Sequence, residues 1–167
     1  MLYLLDANVL ITANRQYYAI DRVPEFWDWL IYMGSVGNIK IVQEVFEEFS
    51  GGNDGLAKWA MQEEVGESLL LDEAVDLDHV RRVTSSGYAV DLRDDEVETL
   101  GRDPFLIAYA LGQLGERAIV TTEVSKRTRI RANRHIPDVC ADFGVPCIDT
   151  FQLTTSLDFR TDWAARA

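Results

Sequence analysis

Short apolar runs alternate with amphipathic helical patterns along this chain of 167 residues. Residues 2–5 (LYLL) and 118–121 (AIVT) have the length of buried strands, whereas residues 103–114 place apolar side chains at helical spacing. Parallel strands need long crossover connections, which are usually helices that cover the sheet. The alternation therefore predicts an α/β fold with a parallel sheet covered by helices.

The predicted elements leave no room for an internal linker. We expect one domain over residues 1–155 and a C-terminal tail, residues 156–167, that either docks as a helix or frays. The predicted strands are residues 2–5, 39–42, 118–121 and 145–148, with residues 69–71 as a further strand or edge. The predicted helices start after Asp6 and cover residues 24–33, 44–50, 56–64, 76–86, 103–114 and 136–143, with a short helix opened by a capping box, Asp95-x-x-Glu98.

Four acidic residues recur where these elements meet. Asp6 follows the first strand, Glu48 lies in EVFEEF, Asp103 opens DPFLIAYAL and Glu123 closes AIVTTE. Ligands of open parallel sheets collect beyond the carboxyl ends of the strands, the edge at which Asp6 and Glu123 are expected. Close carboxylates raise one another's pKa and repel phosphate, and a hard cation such as Mg²⁺ or Mn²⁺ removes both problems. Such a cation can also activate water for in-line attack.

Each acid also has an ordinary structural interpretation. Asp6 and Asp103 are suitable N-caps, and Asp103 precedes a proline as helix starts often do. Glu48 is one of three glutamates on a short helix, where Glu44 and Glu47 compete with it for any inward position. The fourth acid, at the end of IVTTE, alternatively serves only to favour the positive end of a following helix.

Composition restricts the classes of partner. A net charge of −12 and a pI of about 4.5 argue against nucleic-acid binding through a broad basic surface, so a phosphate ligand needs a local basic patch or metal. Cys140 and Cys147 form neither a metal motif nor a disulfide framework, which indicates thiols in a reducing compartment. The N-terminus does not resemble a signal peptide and no run has the length of a membrane span. We therefore expect a cytoplasmic protein without membrane contact.

One dense basic stretch follows the fourth acid. One interpretation is a solvated face that pairs with the protein's own acids, and the other is contact with substrate phosphates beside the site. The position directly after Glu123 favours phosphate contact, above all by Lys126, Arg127 and Arg129. The stretch consists of Lys126, Arg127, Arg129, Arg131 and Arg134. The tryptophans, by contrast, are expected in the core or an interface.

The motifs in this order resemble those of the PIN-domain ribonucleases. YLLDANVLI, EVFEEFSGG, RDPFLIAYAL and IVTTE carry the resemblance, which extends from residue 1 to about residue 153. The continuation KRTRIRANRHIPDVCADFGVPCIDTFQL is similar to a PIN-like branch in which a basic stretch precedes an IPDVC-type helix and a short strand. The resemblance implies a three-layer α/β/α sandwich with a central parallel sheet and metal-dependent cleavage of RNA.

The same resemblance implies roles for individual residues. Asn8 and Thr121 match the small polar positions that support the site. The fourth acid of the family is more often Asp, so the longer Glu123 either lies further out or holds the metal through water. The second motif is loose, which leaves room for a copy that does not catalyse. The implied metal-binding and catalytic acids are Asp6, Glu48, Asp103 and Glu123.

Three functions are carried forward from the sequence. The first is a divalent-metal-dependent endoribonuclease that acts on RNA. In the role of a toxin it would also have a protein antitoxin as a partner. A homodimer is compatible with this function. The second, from a different class, is a catalytically inactive module that binds RNA or protein. The third is a haloacid-dehalogenase-type phosphatase with Asp6 as nucleophile, against which Asn8 stands where that family has its second Asp.

Overall fold

Four parallel strands form one sheet in the computed structural model, which describes residues 1–166. The strands are β1 (Leu2–Leu5), β2 (Ile39–Lys40), β3 (Arg117–Val120) and β4 (Cys147–Ile148). Their order across the sheet is β2-β1-β3-β4, and each neighbouring pair is parallel. The predicted α/β fold with a central parallel sheet is confirmed.

Ten α-helices surround the sheet within residues 1–166. Two π-helical segments, Ala13–Tyr17 and Val83–Tyr88, continue α1 and α6, and two short 3₁₀ turns cover Arg131–Asn133 and Trp163–Ala165. The α-helices are α1 (Ala7–Thr12), α2 (Pro24–Ser35), α3 (Gln43–Ser50), α4 (Gly55–Ala60), α5 (Glu63–Leu69), α6 (Leu77–Arg82), α7 (Asp94–Leu100), α8 (Asp103–Leu111), α9 (Ile136–Phe143) and α10 (Thr150–Ser156).

Helices cover both faces of the sheet. All four residues of β3 are buried, and successive side chains of a strand point to opposite faces. Both faces must therefore be shielded from water, as in a three-layer arrangement. No helix among the described residues is long and apolar enough to cross a membrane.

The helix predicted for residues 56–64 is wrong, because two helices replace it. α4 ends before Met61, and Gln62 is extended before α5 begins. The break lets α5 bury Val65 and Leu69 against α2. A Cβ on Gly34 of α2 would lie 2.6 Å from the Ser68 carbonyl oxygen, so only glycine permits this close approach. The predicted edge at residues 69–71 is reduced to a single bridge between Ile41 and Leu70.

The predicted capping box was also misplaced. Arg93 is the N-cap of α7, and the Glu96 carboxylate accepts a hydrogen bond from the Arg93 backbone N–H at 3.0 Å. The start signal thus lies two residues before the predicted Asp95-x-x-Glu98 box. The helix predicted to end at residue 114 ends at Leu111, with Gly112 as its C-cap.

The chain after α10 packs against α2. The Trp163 indole N–H donates to the Glu25 carbonyl oxygen at 2.9 Å, and its ring stacks on Tyr32 with centroids 5.0 Å apart. Phe159 contacts the rings of Phe26 and Trp29. These contacts dock the tail onto the core cluster. The core positions expected for Trp27, Trp29 and Trp59 are confirmed by their burial.

Candidate functional site

The crevice beyond β1 and β3 lies where the strand order changes direction. From β1 the chain proceeds to β2 on one side and later returns to β3 on the other side. Leu5 of β1 pairs with Val120 of β3. Asp6, the residue after Leu5, donates its backbone N–H to the Val120 carbonyl oxygen at 2.9 Å. Such a switch point is where open α/β sheets bind ligands.

Asp6 is buried in this crevice, with 4% of its surface exposed. Its Oδ2 accepts a 2.7 Å hydrogen bond from the Thr121 hydroxyl, which itself accepts one from the Glu123 backbone N–H at 3.1 Å. Burial raises the pKa of Asp6, and the hydrogen bond from Thr121 and the polar groups of Asn8 oppose that rise. Asp6 occupies the N-cap position of α1, where the backbone N–H of Asn8 also acts on its carboxylate. The Thr121 hydroxyl engages the same carboxylate from the end of β3, inside the crevice.

Asp103 faces the same carboxylates from the start of α8. Arg102 is the N-cap of that helix, so Asp103 does not serve as the cap that one sequence interpretation assigned to it. Burial raises the pKa of Asp103 to about 8, and the charges of Asp6, Glu123 and Glu48 add to the rise. The four predicted acids thus interact electrostatically in one region of the fold.

Glu48 is the glutamate of α3 that approaches the crevice. It is an exposed residue, and its pKa is nevertheless raised by partial desolvation and by the charge of Asp6. Glu47 instead lies 3.9 Å from the Arg102 guanidinium, and Glu44 lies beside Tyr109. The choice among the three glutamates, which the sequence left open, falls on Glu48 by position.

Glu123 has a structural role as well. Its Oε2 accepts a 2.7 Å hydrogen bond from the backbone N–H of Ile136, the first residue of α9. This is the helix-terminus role that the sequence also allowed. Its charge still raises the pKa of Asp6 and of Asp103. One carboxylate oxygen therefore anchors α9 while the group remains part of the acidic crevice.

The chemistry of these donors fits a hard divalent cation. The groups are carboxylates beside a threonine hydroxyl, which are the oxygen ligands that Mg²⁺ and Mn²⁺ prefer. Within residues 1–166, no three Asp, Glu, His or Cys side chains already adopt a metal-binding arrangement. The carboxylates of Asp6 and Glu123 each accept a hydrogen bond from the protein itself. The residues that would hold the cation are Asp6, Glu48, Asp103 and Glu123.

The basic stretch divides into two functional groups. Arg131 pairs with Glu96 at 2.7 Å and Asp91 at 2.8 Å, and Arg134 pairs with Asp142 at 2.7 Å. These two arginines are used within the protein, as one interpretation of the stretch predicted. The other three residues are exposed and make no ion pair within residues 1–166. They are Lys126, Arg127 and Arg129.

The sequence did not identify Asp138 as the residue that positions this stretch. The Asp138 carboxylate accepts hydrogen bonds from the Ser125 hydroxyl and, at 2.7 Å, from the Lys126 backbone N–H. Although burial raises its pKa, these hydrogen bonds keep the pKa of Asp138 below the usual value. An acid in the first turn of a helix, directly after a proline, was the available signal.

The fold and the crevice define an α/β protein with an acidic site at the switch point of its parallel sheet. The chain belongs to the family described as Domain of unknown function (DUF4411), whose model matches residues 3–161. No curated protein matches the chain. The matched range contains all four acids of the crevice and the whole basic stretch.

Proposed function

We propose that this protein is a divalent-metal-dependent endoribonuclease that hydrolyses RNA phosphodiester bonds. The observation that carries the proposal is the approach of four acids from four separate segments to one crevice. Burial is the largest cause of the raised pKa values of Asp6, Glu48 and Asp103, and at each of them a neighbouring acid adds to the rise. Ionisable groups whose pKa values are shifted by burial and by like charges cluster at functional sites, and here Asp6 is buried while Asp103 and Glu123 are half-buried. The order of the motifs, which resembles that of PIN-domain ribonucleases, supports the same assignment.

The chain's own residues hold the site in a defined arrangement. Thr121 orients the Asp6 carboxylate, and Ile136 orients that of Glu123. Asp103 is held at the first turn of α8, and Glu48 reaches the crevice from α3. When bound, Mg²⁺ or Mn²⁺ would neutralise the phosphate, lower the pKa of water and favour in-line attack.

The free cations next to the crevice suit a polyanionic substrate. Lys126, Arg127 and Arg129 begin three residues after Glu123, and their side chains have no ion-pair partner in the described part of the chain. On a protein of net charge −12, such a local patch is what phosphate binding requires. Contacts of this kind position a strand without reading its sequence. We assign RNA as the substrate, with a protein antitoxin as the partner if the nuclease acts as a toxin.

Cleavage of mixed cellular RNA, with Mn²⁺ and with chelator, tests the proposal. We expect cleavage with Mn²⁺, none with chelator, and none from Asp6→Asn or Asp103→Asn. Glu47→Gln is the matched control, because Glu47 neighbours Glu48 but pairs with Arg102. Equal residual activity of wild type and both Asn variants would show a contaminant and end the proposal.

A non-catalytic RNA-binding or protein-binding module is the second candidate. One observation favours it: the acids do not adopt a metal-binding arrangement within residues 1–166. A module of this kind would retain binding through Lys126, Arg127 and Arg129. It would show neither cleavage nor saturable binding of Mn²⁺.

A further inference from the structure

The two exposed aromatic side chains of the described residues contact each other. Tyr17 is 47% exposed and Phe151 is 55% exposed. Their ring centroids lie 5.4 Å apart at 70°, an edge-to-face arrangement. All other aromatic side chains within residues 1–166 are buried or half-buried. Because the other aromatic side chains are shielded from water, a pair of exposed rings in contact indicates a binding surface.

These rings border a hollow that adjoins a second hollow lined by Glu123. The hollow has a volume of about 430 Å³ and is also lined by Gln16, Thr122 and Val124. That volume lies in the range of small-molecule pockets. The second hollow shares Thr122 and Val124 with the first and is lined by Thr121 and Glu123. A ligand in the first hollow would therefore lie near Glu123, one of the four acids.

A π-helical segment places the hollow relative to Asp6. α1 begins directly after Asp6 and continues as the π-helical segment Ala13–Tyr17, which carries Gln16 and Tyr17. π-helical turns are rare and occur frequently at functional sites. One continuous helical element therefore links the buried acid at its start to the aromatic hollow at its end.

The wall of the hollow includes a hydroxyl without a partner. Thr150 lines the hollow and is only 6% exposed, and its Oγ1 has no hydrogen-bond partner among the described residues. Buried polar groups are nearly always hydrogen-bonded, so this hydroxyl requires a partner from outside the protein, either a water molecule or a polar ligand. The hollow thus combines two aromatic rings with an unsatisfied polar group.

We propose that this hollow binds one unpaired nucleobase of single-stranded RNA, next to the phosphate that the acids act on. The proposal rests on the proposed ribonuclease function. A base stacks on Tyr17 and Phe151, as bases do on the aromatic side chains of proteins that bind single strands. Its polar edge meets the exposed side chain of Gln16. The backbone then passes the exposed cations that begin two residues after Val124. A base held in a duplex cannot enter, so the hollow selects unpaired RNA.

Fluorescence of 2-aminopurine in a short single-stranded RNA tests this binding mode. The full-length protein is titrated into the labelled strand, and into the same strand as a duplex, with chelator present so that no cleavage occurs. Wild type is expected to quench the single strand and not the duplex. Phe151→Leu keeps an apolar side chain of similar size, and we expect about 5- to 20-fold weaker binding and loss of quenching. Phe151→Trp should restore both.

The outcomes separate this proposal from the ribonuclease assignment. Unchanged affinity and quenching in Phe151→Leu and Tyr17→Leu, or tighter binding of the duplex, would overturn the base-binding hollow. Binding of a peptide or protein at Phe151 without any effect of RNA would also overturn it. Quenching that depends on Phe151, in a protein that never cleaves RNA with Mn²⁺, would support the hollow while the ribonuclease function fails. Both rings are exposed, so circular dichroism should show that the variants fold.

Discussion

The Thr121 hydroxyl donates a 2.7 Å hydrogen bond to the carboxylate of Asp6, which is 115 residues away in the chain. Both residues directly follow paired strands, β3 and β1, so the sheet itself brings them together. The hydroxyl fixes one oxygen of the buried acid and opposes the rise of its pKa. This contact joins the two strands at the point where the proposed cation would bind.

Replacement of Thr121 by Val should impair the site without removing an acid. Val keeps the branched shape but cannot orient Asp6, so we expect 10- to 100-fold lower Mn²⁺ affinity or cleavage rate. Thr121→Ser keeps the hydroxyl and should retain most of both. Isothermal titration with Mn²⁺ and initial cleavage rates measure the effect. Equal values for the Val and Ser variants would contradict a positioning role for the hydroxyl.

Asp103→Asn should stabilise the metal-free protein at alkaline pH. The pKa of Asp103 is raised from its usual value of 3.8 to about 8. A raised pKa means that the folded protein holds this proton more tightly than the unfolded chain. The contribution of Asp103 to the free energy of unfolding is therefore fully present below about pH 4, and it is lost as the pH rises through about 8. Asn cannot ionise and avoids that loss.

Thermal unfolding between pH 4 and pH 9, with chelator present, checks this prediction. The Tm of Asp103→Asn should exceed that of wild type by a few degrees near pH 9, and the gap should close towards pH 4. Added Mn²⁺ should raise the Tm of wild type alone, because only the wild-type site binds it. A pH-independent difference would contradict the linkage.

Glu96→Gln should destabilise the fold at neutral pH. Hydrogen bonds from Arg131 and from the Arg93 backbone lower the pKa of Glu96 to about 2 from the usual 4.5. A lowered carboxyl pKa contributes stability above about pH 4.5, and that contribution is lost as the pH falls through about 2. The Tm deficit of the variant should therefore be largest at pH 7 and shrink in acid.

The control for that experiment is Asp95→Asn. Asp95 is exposed and pairs with Arg93 rather than with Arg131. It should change the Tm little, because exposed ion pairs contribute little. Arg131 has a φ of 54°, an uncommon value outside glycine, so its pairing with Glu96 also holds a strained turn. If Glu96→Gln lowered the Tm no more than Asp95→Asn does, the result would argue against this anchoring role.

Removal of the three unpaired cations should weaken RNA binding. We expect Lys126→Gln, Arg127→Gln and Arg129→Gln together to reduce the slope of log affinity against log salt by about 2, given about 0.7 per phosphate contact on single strands. The binding loss should be similar for different sequences, since these contacts would position the backbone. Fluorescence anisotropy at several salt concentrations measures both.

A charge-matched variant controls for net charge in that experiment. Arg22, Arg81 and Arg160, each changed to Gln, also remove three positive charges, so both variants change the net charge from −12 to −15. They lie outside the stretch of residues 126–134. If the control variant lost as much affinity as the first, the effect would come from total charge rather than from a local patch.

Local signals in the sequence predicted much of the framework. The strand at Leu2–Leu5, the helix that begins at Pro24 and the helix Ile136–Phe143 were predicted correctly, because apolar spacing and proline positions are local properties. The helix over residues 56–64 was wrong, because its break serves the close contact of Gly34 with Ser68. Such tertiary contacts leave no local signal.

The sequence indicated the acids of the candidate site more readily than the residues that surround them. The strand ends indicated Asp6 and Glu123 as neighbours, because parallel strands share an edge, whereas Thr121 was named only through the resemblance to PIN domains. The selection of Glu48 depends on how α3 packs against α8. The pairing of Arg131 with Asp91 and Glu96 joins segments that lie 40 and 35 residues apart, so the division of the basic stretch was not predictable.

The aromatic hollow depends on contacts of the same long-range kind. Tyr17 and Phe151 meet although they lie at the ends of two different helical elements. Neither residue belongs to a motif that the sequence made prominent. A π-helical segment has no strong sequence signal, so the position of Gln16 and Tyr17 became apparent only from the fold.

Mn²⁺ binding to the metal-free protein tests the central claim most directly. Electron paramagnetic resonance of free Mn²⁺, titrated with protein at pH 8, gives affinity and stoichiometry without any substrate. We predict saturable binding to wild type and to Glu47→Gln, weaker binding to Glu48→Gln, and none to Asp6→Asn or Asp103→Asn. Absence of saturable binding to wild type, or equal binding to Asp6→Asn, would contradict the assignment of this crevice as a metal centre.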